Sequence, residues 1–308
     1  MTESSSASTQ TPRVEGRLPG AFSSRVHVDI SALTHTGHRR QNNEDQFFVA
    51  KATRALETLM TSLPPGDVPD RTDELNYVMV VADGMGGHAA GEVASRLTIT
   101  ALVALALQIP DWILRADPAH VPEIERRARQ AIQQVGSMLV ERGRQDVSLR
   151  GMGSTLTGAR SFGRELLIVH VGDSRAYLLR AGQLQRLTRD HTYAQMMVDA
   201  GHSSPDDAAL SGVRHILTNV LGGAVDEVDV DVDLLGLEDA DRLLLCSDGL
   251  TDGVDNDTIG ATLQRALSSR EACERLVQLA LDCGGHDNVT VIVASFEFPP
   301  ALGSLTAL

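Results

Sequence analysis

Strand-like and helix-like segments fall in blocks along this chain instead of alternating, which predicts an α+β layered domain rather than a doubly wound parallel sheet. Two further observations agree. Short apolar runs at 77–82, 168–171 and 243–246 read as buried strands. Two long segments free of internal proline, Gly91 to Gln108 and Pro122 to Arg144, follow one another directly and read as helices. The 308 residues, 42% of them hydrophobic, suffice for one large domain or two ordinary ones with a sizeable core.

In chain order, residues 1–24 are rich in Ser and Thr and lack an apolar centre, so a disordered tail is expected there and not a secretory signal. After Arg25, VHVDISALTHTG alternates as a strand should, and Gln46 to Ala50 reads as a second strand. Residues 51–76 contain Leu63-Pro64-Pro65-Gly66-Asp67 and read as an excursion or loop, before a strand at Tyr77–Ala82. The second helix places Ile124, Ala128, Ala131, Ile132, Val135, Met138 and Leu139 on one face and charge on the other. Strands are expected at Ser154–Arg160, Glu165–Val171 and Ala176–Arg180, the last turning at Ala181-Gly182 into Gln183–Leu187. A strand at Arg242–Cys246, a helix at Glu271–Cys283 stopped by Gly284-Gly285, and a strand at Val289–Phe298 complete the pattern. The stretch beyond, 299–308, reads as a tail, and no internal repeat is present.

Composition narrows the function. A formal net charge of −14 argues against a nucleic-acid partner, because phosphate backbones need Lys/Arg surfaces. No uninterrupted run of 18 apolar residues is present, so no membrane span is expected. Cys246, Cys273 and Cys283 suit a reducing, cytoplasmic setting, and none has an arginine six positions later, which a cysteine-nucleophile phosphatase loop would need. His-Glu-x-x-His and Cys-x-x-Cys are absent, which speaks against zinc.

Residues 78–95, VMVVADGMGGHAAGEVAS, pose the sharpest question. A glycine-rich turn between strand and helix ordinarily cradles phosphate, and Gly84 to Ala89 fits the spacing of dinucleotide binders. Yet Asp83 stands directly before the first glycine, and the region where the ribose-binding acid should follow is helical. Two other apolar runs also end in aspartates: Gly172-Asp173-Ser174-Arg175 and Ser247-Asp248-Gly249. A fourth, Asp287, begins the last strand. Any one of these makes an ordinary turn. If the strands meet in one core, however, the carboxylates cluster, and clustered carboxylates require protons or cations. Hard divalent cations with oxygen ligands are the natural remedy, and Gly84 lets a backbone carbonyl approach as a further ligand. Phosphate chemistry is then served through metal.

Arg40-Gln41-Asn42-Asn43-Glu44-Asp45, Asp83-Gly84-Met85-Gly86-Gly87-His88, Gly153-Ser154-Thr155, Gly172-Asp173-Ser174-Arg175, Ser247-Asp248-Gly249 and Asp287-Asn288 occur in this order. Together they resemble the metal-dependent protein phosphatases of the PP2C type in their bacterial form, over roughly residues 25 to 297. The resemblance implies a four-layer α-β-β-α sandwich of two antiparallel sheets, spanning 25–298. It implies two Mn²⁺ or Mg²⁺ ions, a third at a weaker site, and a bridging water that attacks phosphorus directly. Asp83 should bridge the two core ions, with Gly84 offering its carbonyl and Asp248 and Asp287 ligating from the other sheet. Glu44 and Asp45 should hold metal-bound waters, and Asp173 with Asp248 should form the third site. Arg40 should grip the substrate phosphate. His88 aligns with the family's proposed general acid, against the alternative of a plain helix-start histidine. Asn288 is expected to orient Asp287 or cap its turn, and Gly153-Ser154-Thr155 carries no assigned chemistry. Residues 193–223 correspond to the family's flap. The implied substrates are phosphoproteins, the implied partner a bacterial Ser/Thr kinase, and the implied state a monomer. A binding-only degenerate relative should lack one of the metal aspartates, and all are present.

Overall fold

A computed structural model describes residues 26–86, 88–108, 121–209, 211–223 and 227–298, with only the backbone for a few of these, His88 among them. The expected tails at 1–24 and 299–308 lie outside these residues. The chain forms β1 (His27–His35), β2 (Asp45–Glu57), β3 (Arg71–Met85), α1 (His88–Gln108), α2 (Val121–Gln145), β4 (Gly153–Ser154), β5 (Leu156–Phe162), β6 (Glu165–Val171), β7 (Arg175–Arg180) and β8 (Gln183–Arg186). It continues through α3 (Tyr193–Asp199), α4 (Pro205–Ala209), β9 (Leu221–Gly222), β10 (Asp231–Gly236), β11 (Arg242–Cys246), α5 (Asp248–Thr251), α6 (Asn256–Arg265), α7 (Ser269–Asp282) and β12 (Val289–Glu297).

One sheet has the order β1-β12-β11-β7-β8. The other runs β10-β6-β5-β3-β4-β9, with β2 also paired to β3. All pairings are antiparallel. The two sheets pack face to face through Met79 and Val81 of β3, Leu166 and Ile168 of β6, Leu243 and Leu245 of β11, and Ile292, Ala294 and Phe296 of β12. Helices α1 and α2 cover the outer face of the second sheet with Ile99, Ile124, Ile132, Val135 and Leu139. Helices α6 and α7 cover the first with Ile259, Leu263, Leu276 and Val277. This is the four-layer α-β-β-α sandwich. It explains the unbroken apolar runs: within β3, Met79 and Val81 face the other sheet while Val80 and Ala82 face the helices, so both faces are buried and neither alternates with polar residues.

One expectation needs sharpening. Residues 51–76 are an excursion built as a hairpin, in which 58–70 form the loop and the flanks are strand. Strands β2 and β3 continue outward as a paired arm from Lys51↔Tyr77 to Glu57↔Arg71. The Pro64-Pro65-Gly66 punctuation marks only the tip, and a ladder of backbone hydrogen bonds carries the polar residues on either side. Helix α1 is also long and apolar enough to cross a membrane by length and composition. In the fold, its Ala90, Ala94, Ile99 and Ala101 lie in the core shared with α2 and the second sheet. The 193–223 segment, expected to be a polar flap, carries α3 and α4.

His170 on β6 is 1% exposed. Its Nε2–H donates to the Arg189 carbonyl (3.0 Å), and its Nδ1 lies 2.9 Å from the Thr157 hydroxyl, within hydrogen-bond reach. Burial drives its pKa down to about 4, and the neighbouring His191 pushes the same way. The unfolded chain therefore binds the proton first as pH falls, so stability held above about pH 6.5 is lost progressively toward pH 4. Between pH 7.5 and pH 5 this group should cost about 2 kcal/mol. Urea denaturation should show that His170→Gln loses less stability over this interval than wild type; equal losses would contradict the assignment.

Candidate active site

The strand ends named in the sequence meet at one edge of the sandwich. There a cavity of about 950 Å³ is lined by Arg39, Arg40, Glu44, Asp83, Gly84, Met85, Thr155, Asp173, His215, Ile216, Asp248, Asp252, Asp287 and Asn288. Asp83 closes the second sheet's half of this edge; Asp248 and Asp287 come from the first. Asp45 sits beneath the cavity at 1% exposure and is the antiparallel neighbour of Asp83 across β2 and β3.

Tight local geometry holds the carboxylates. A Cβ on Gly84 would lie 1.9 Å from the Gly91 carbonyl oxygen, so only glycine lets the first turn of α1 press against the end of β3. A Cβ on Gly249 would lie 2.0 Å from the Asn288 carbonyl oxygen, which fixes the approach of α5 to the start of β12. Thr155 brackets Asp83: its hydroxyl accepts from the Asp83 amide at 3.0 Å and its amide donates to the Asp83 carbonyl at 2.8 Å. The Gly153-Ser154-Thr155 motif thus has a positioning task that sequence reading left unassigned. Ser247 Oγ donates to Asp45 Oδ2 at 2.7 Å and accepts from the Thr290 amide at 2.9 Å.

Asn288 does more than cap a turn. Its Oδ1 accepts from the Glu44 amide (2.8 Å), and its Nδ2 donates to the carbonyls of Thr36 and Asn42 (2.9 Å each). It therefore fastens the loop that carries Arg40 and Glu44 to the start of β12. Arg40 Nη2 donates to Asp287 Oδ2 at 2.6 Å. Its side chain is 54% exposed, so it reaches from the mouth of the cavity.

Burial dominates the electrostatics. Asp83 and Asp248 are held well above the ordinary carboxylate range, first by desolvation. Repulsion adds to it, from Asp45 and Asp248 at Asp83, and from Asp173, Asp252 and Asp287 at Asp248. Asp173, 8% exposed, is raised to about 7 by burial and then by Asp190. Asp45 rises to about 6 by burial, moderated by the Ser247 hydrogen bond. Oδ1 of Asp45 and Oδ1 of Asp248 are buried with no hydrogen-bond partner among the described residues. Buried orphan carboxylate oxygens in an all-oxygen donor set fit hard divalent cations such as Mg²⁺ and Mn²⁺.

Of the expected site residues, Arg40, Glu44, Asp83, Gly84, Asp173, Asp248 and Asp287 line one cavity, with Asp45 just below. His88 opens α1, and its side chain lies outside the described residues. Sequence reading missed Asp252 and His215. Asp252 follows Asp248 by four residues around the short α5, a spacing that puts both on one side. His215 lies in the flap segment and carried no motif.

A family model described as protein phosphatase 2C matches residues 68–282. The chain belongs to this family. The serine/threonine protein phosphatase PstP of Mycobacterium tuberculosis is 41% identical over 217 residues, which is 70% of this chain but 40% of that relative's length. Protein phosphatase PhpP of Streptococcus pneumoniae is 31% identical over 280 residues, covering 88% of this chain and 98% of PhpP. Among solved structures, the M. tuberculosis phosphatase PstP/Ppp superposes with a TM-score of 0.70 at 36% identity, covering 88% of this chain and 99% of that one. The PstP catalytic domain in complex with two manganese ions gives 0.69 at 35% identity, covering 88% and 99%.

Because Asp83 is desolvated among like charges, Asp83→Asn should raise the melting temperature in chelator at pH 8. The gain should shrink as the pH falls and the wild-type carboxyl takes up a proton. Calorimetric Mn²⁺ affinity should fall in the same variant. A lower melting temperature at pH 8 would show that Asp83 is not under repulsion.

Proposed function

We propose that this protein is a metal-dependent serine/threonine protein phosphatase acting on phosphorylated proteins and opposing a bacterial Ser/Thr kinase. The observation that carries the reading is the convergence of Asp45, Asp83, Asp173, Asp248 and Asp287 on one cavity from both sheets, with an arginine at its mouth. Family membership supports it, as does the manganese-bound relative of the same fold.

In this reading Asp83, the Gly84 carbonyl, Asp248 and Asp287 would hold the core pair of ions, Glu44 and Asp45 would bind waters around them, and Asp173 with Asp248 would serve a weaker third site. Mn²⁺ or Mg²⁺ held there would supply an acidified water and neutralise charge on the phosphoryl oxygens. The remaining work falls to the chain itself. Arg40 exchanges its contact with Asp287 for two phosphate oxygens, because a guanidinium fork matches that geometry and its partner then faces a cation. Thr155 and Ser247 keep Asp83 and Asp45 in place while the charge around them changes. His88 protonates the departing serine or threonine oxygen. The free cysteines, one of them exposed, suit a reducing interior, and we place the protein in the cytoplasm as a monomer.

Exhaustive chelation should abolish hydrolysis of a phosphothreonine peptide, and Mn²⁺ should restore it; activity that survives chelation removes the mechanism. Arg40→Ala, which loses a charge-assisted contact of about 2–3 kcal/mol, should cut kcat/KM about 30- to 150-fold for phosphopeptide and aryl phosphate alike. His88→Ala should slow the phosphopeptide by about 100-fold and spare p-nitrophenyl phosphate, whose leaving group departs without a proton. Equal losses on both substrates would withdraw the acid role from His88 alone.

A further inference from the structure

A second cavity, of about 520 Å³, lies between helices α1 and α2 and the outer face of the second sheet. It shares no lining residue with the active-site cavity. Its size falls in the ~300–1,000 Å³ range of small-molecule sites. Phe48, Val80 and Val169 form its sheet wall, and Leu102, Val103 and Ala131 its helix wall. Helix α1 is apolar along Ala90–Leu107, yet only 39% of that stretch is buried, and Leu107 at its end is 70% exposed. The apolar side chains of its last turns border this cavity instead of packed neighbours. The charged lining residues are Lys51, Arg127 and Arg160, with no Asp or Glu beside them among the described residues. Lys51 alternates with Phe48 along β2 and so belongs to the opposite face, which leaves Arg127 and Arg160 as the cations of the cavity. The ladder partners of Arg160, Val78 and Leu167, pack in the outer core of the second sheet, which puts Arg160 on the same face. Burial lowers the Arg160 pKa from the usual guanidinium value, so its charge stands there without full hydration. Arg127 Nε donates at 2.6 Å to Glu123 Oε1, outside the lining.

We propose that this cavity binds a free single-chain alkyl carboxylate, with its chain between α1, α2 and the sheet and its head group against Arg160. The walls remove the chain from water, and each buried methylene adds to affinity. The carboxylate meets a desolvated guanidinium whose fork matches it, and Arg127 adds attraction. The charge of the whole chain favours a free acid over a lipid surface. An anionic membrane would meet a protein of formal net charge −14, while a single small anion meets the local cations of the cavity. Residues 109–120, which join α1 to α2 and lie outside the described residues, are the rival occupant. The site does not depend on the phosphatase reading. Strand β3 nevertheless serves both cavities, since Val78 and Val80 line this one and Asp83, near its end, lines the other.

The test is titration of the full chain with hexanoate, octanoate and decanoate, each below its micelle concentration, followed by the methyl NMR signals of Leu102 and Val103. Octanol is the neutral comparison. Affinity should rise about fourfold for each added methylene. In wild type octanoate should bind about tenfold or more tighter than octanol, as a charge-assisted hydrogen bond would give. Arg160→Gln should bring the two level. Ala131→Phe, which places a ring in the cavity, should abolish binding of both. Circular dichroism should show both variants folded as wild type. The absence of saturable shifts in wild type overturns the proposal and leaves the cavity to residues 109–120. Octanol binding as tightly as octanoate, an unchanged ratio in Arg160→Gln, or undiminished binding in Ala131→Phe overturns it as well. Cosedimentation with phosphatidylglycerol vesicles in place of saturable carboxylate binding would make this face a membrane contact and overturn the free acid.

Discussion

Carboxylate repulsion is the constraint on which this structure turns. Asp45, Asp83, Asp173, Asp248 and Asp287 are gathered at one edge of a sandwich, where Asp45 and Asp173 are buried and Asp83 and Asp248 are largely desolvated. A chain left to itself would spread such charges apart. Here each is pinned by backbone that belongs to the core. Asp83 and Asp45 are neighbours across the β2–β3 ladder, and Asp173 follows β6 through the Gly172 turn. Asp248 follows β11, and Asp287 precedes β12. The hydrophobic cores on either side of each sheet supply the free energy that holds the strand ends together against the repulsion.

The polar contacts nearby serve the same end. Ser247, at the end of β11, links Asp45 of the second sheet to Thr290 of its own, and Asn288 links the 36–44 loop between β1 and β2 to the start of β12. Gly84 and Gly249 allow contacts that no Cβ would permit, the first seating α1 against β3 and the second seating α5 against the start of β12. The site is therefore rigid where the carboxylates lie. At its rim lie the Arg40 loop, tied to Asp287 by one exposed ion pair, and the 211–217 segment with Arg214 and His215.

The strands bearing the aspartates were legible in sequence because burial on both faces removes alternation and leaves short unbroken apolar runs ending in turn residues. Glu165–Val171 and Arg242–Cys246 match the expected bounds to the residue. The β2–β3 arm was not legible, because it extends beyond both cores and its pairing is carried by backbone hydrogen bonds that leave no hydrophobic pattern. Strand β10, half of it polar, and the short helices of the flap were hidden for the same reason. Asp252 and His215 have no motif of their own; only the turn of α5 and the fold-back of the flap bring them to Asp248. Asn288 stood in a recognisable motif, but its bonds to Thr36 and Asn42 cross some 250 positions, a distance over which spacing in the sequence carries no signal.

The charge pattern has a consequence for how a phosphorylated protein is met. The chain carries a formal net charge of −14, and the cavity floor is acidic, so a dianionic phosphate is repelled both at long range and on entry. Arg39 and Arg40 on one wall and Arg214 near the other are the cations at hand, and Arg40 and Arg214 both face aspartates of the cavity. A guanidinium facing a bare carboxylate is held by it. A divalent cation bound there would neutralise that carboxylate and leave the guanidinium available to an incoming anion. In the proposed function, metal loading and phosphate recognition would then be two outcomes of one charge balance, set by the same aspartates.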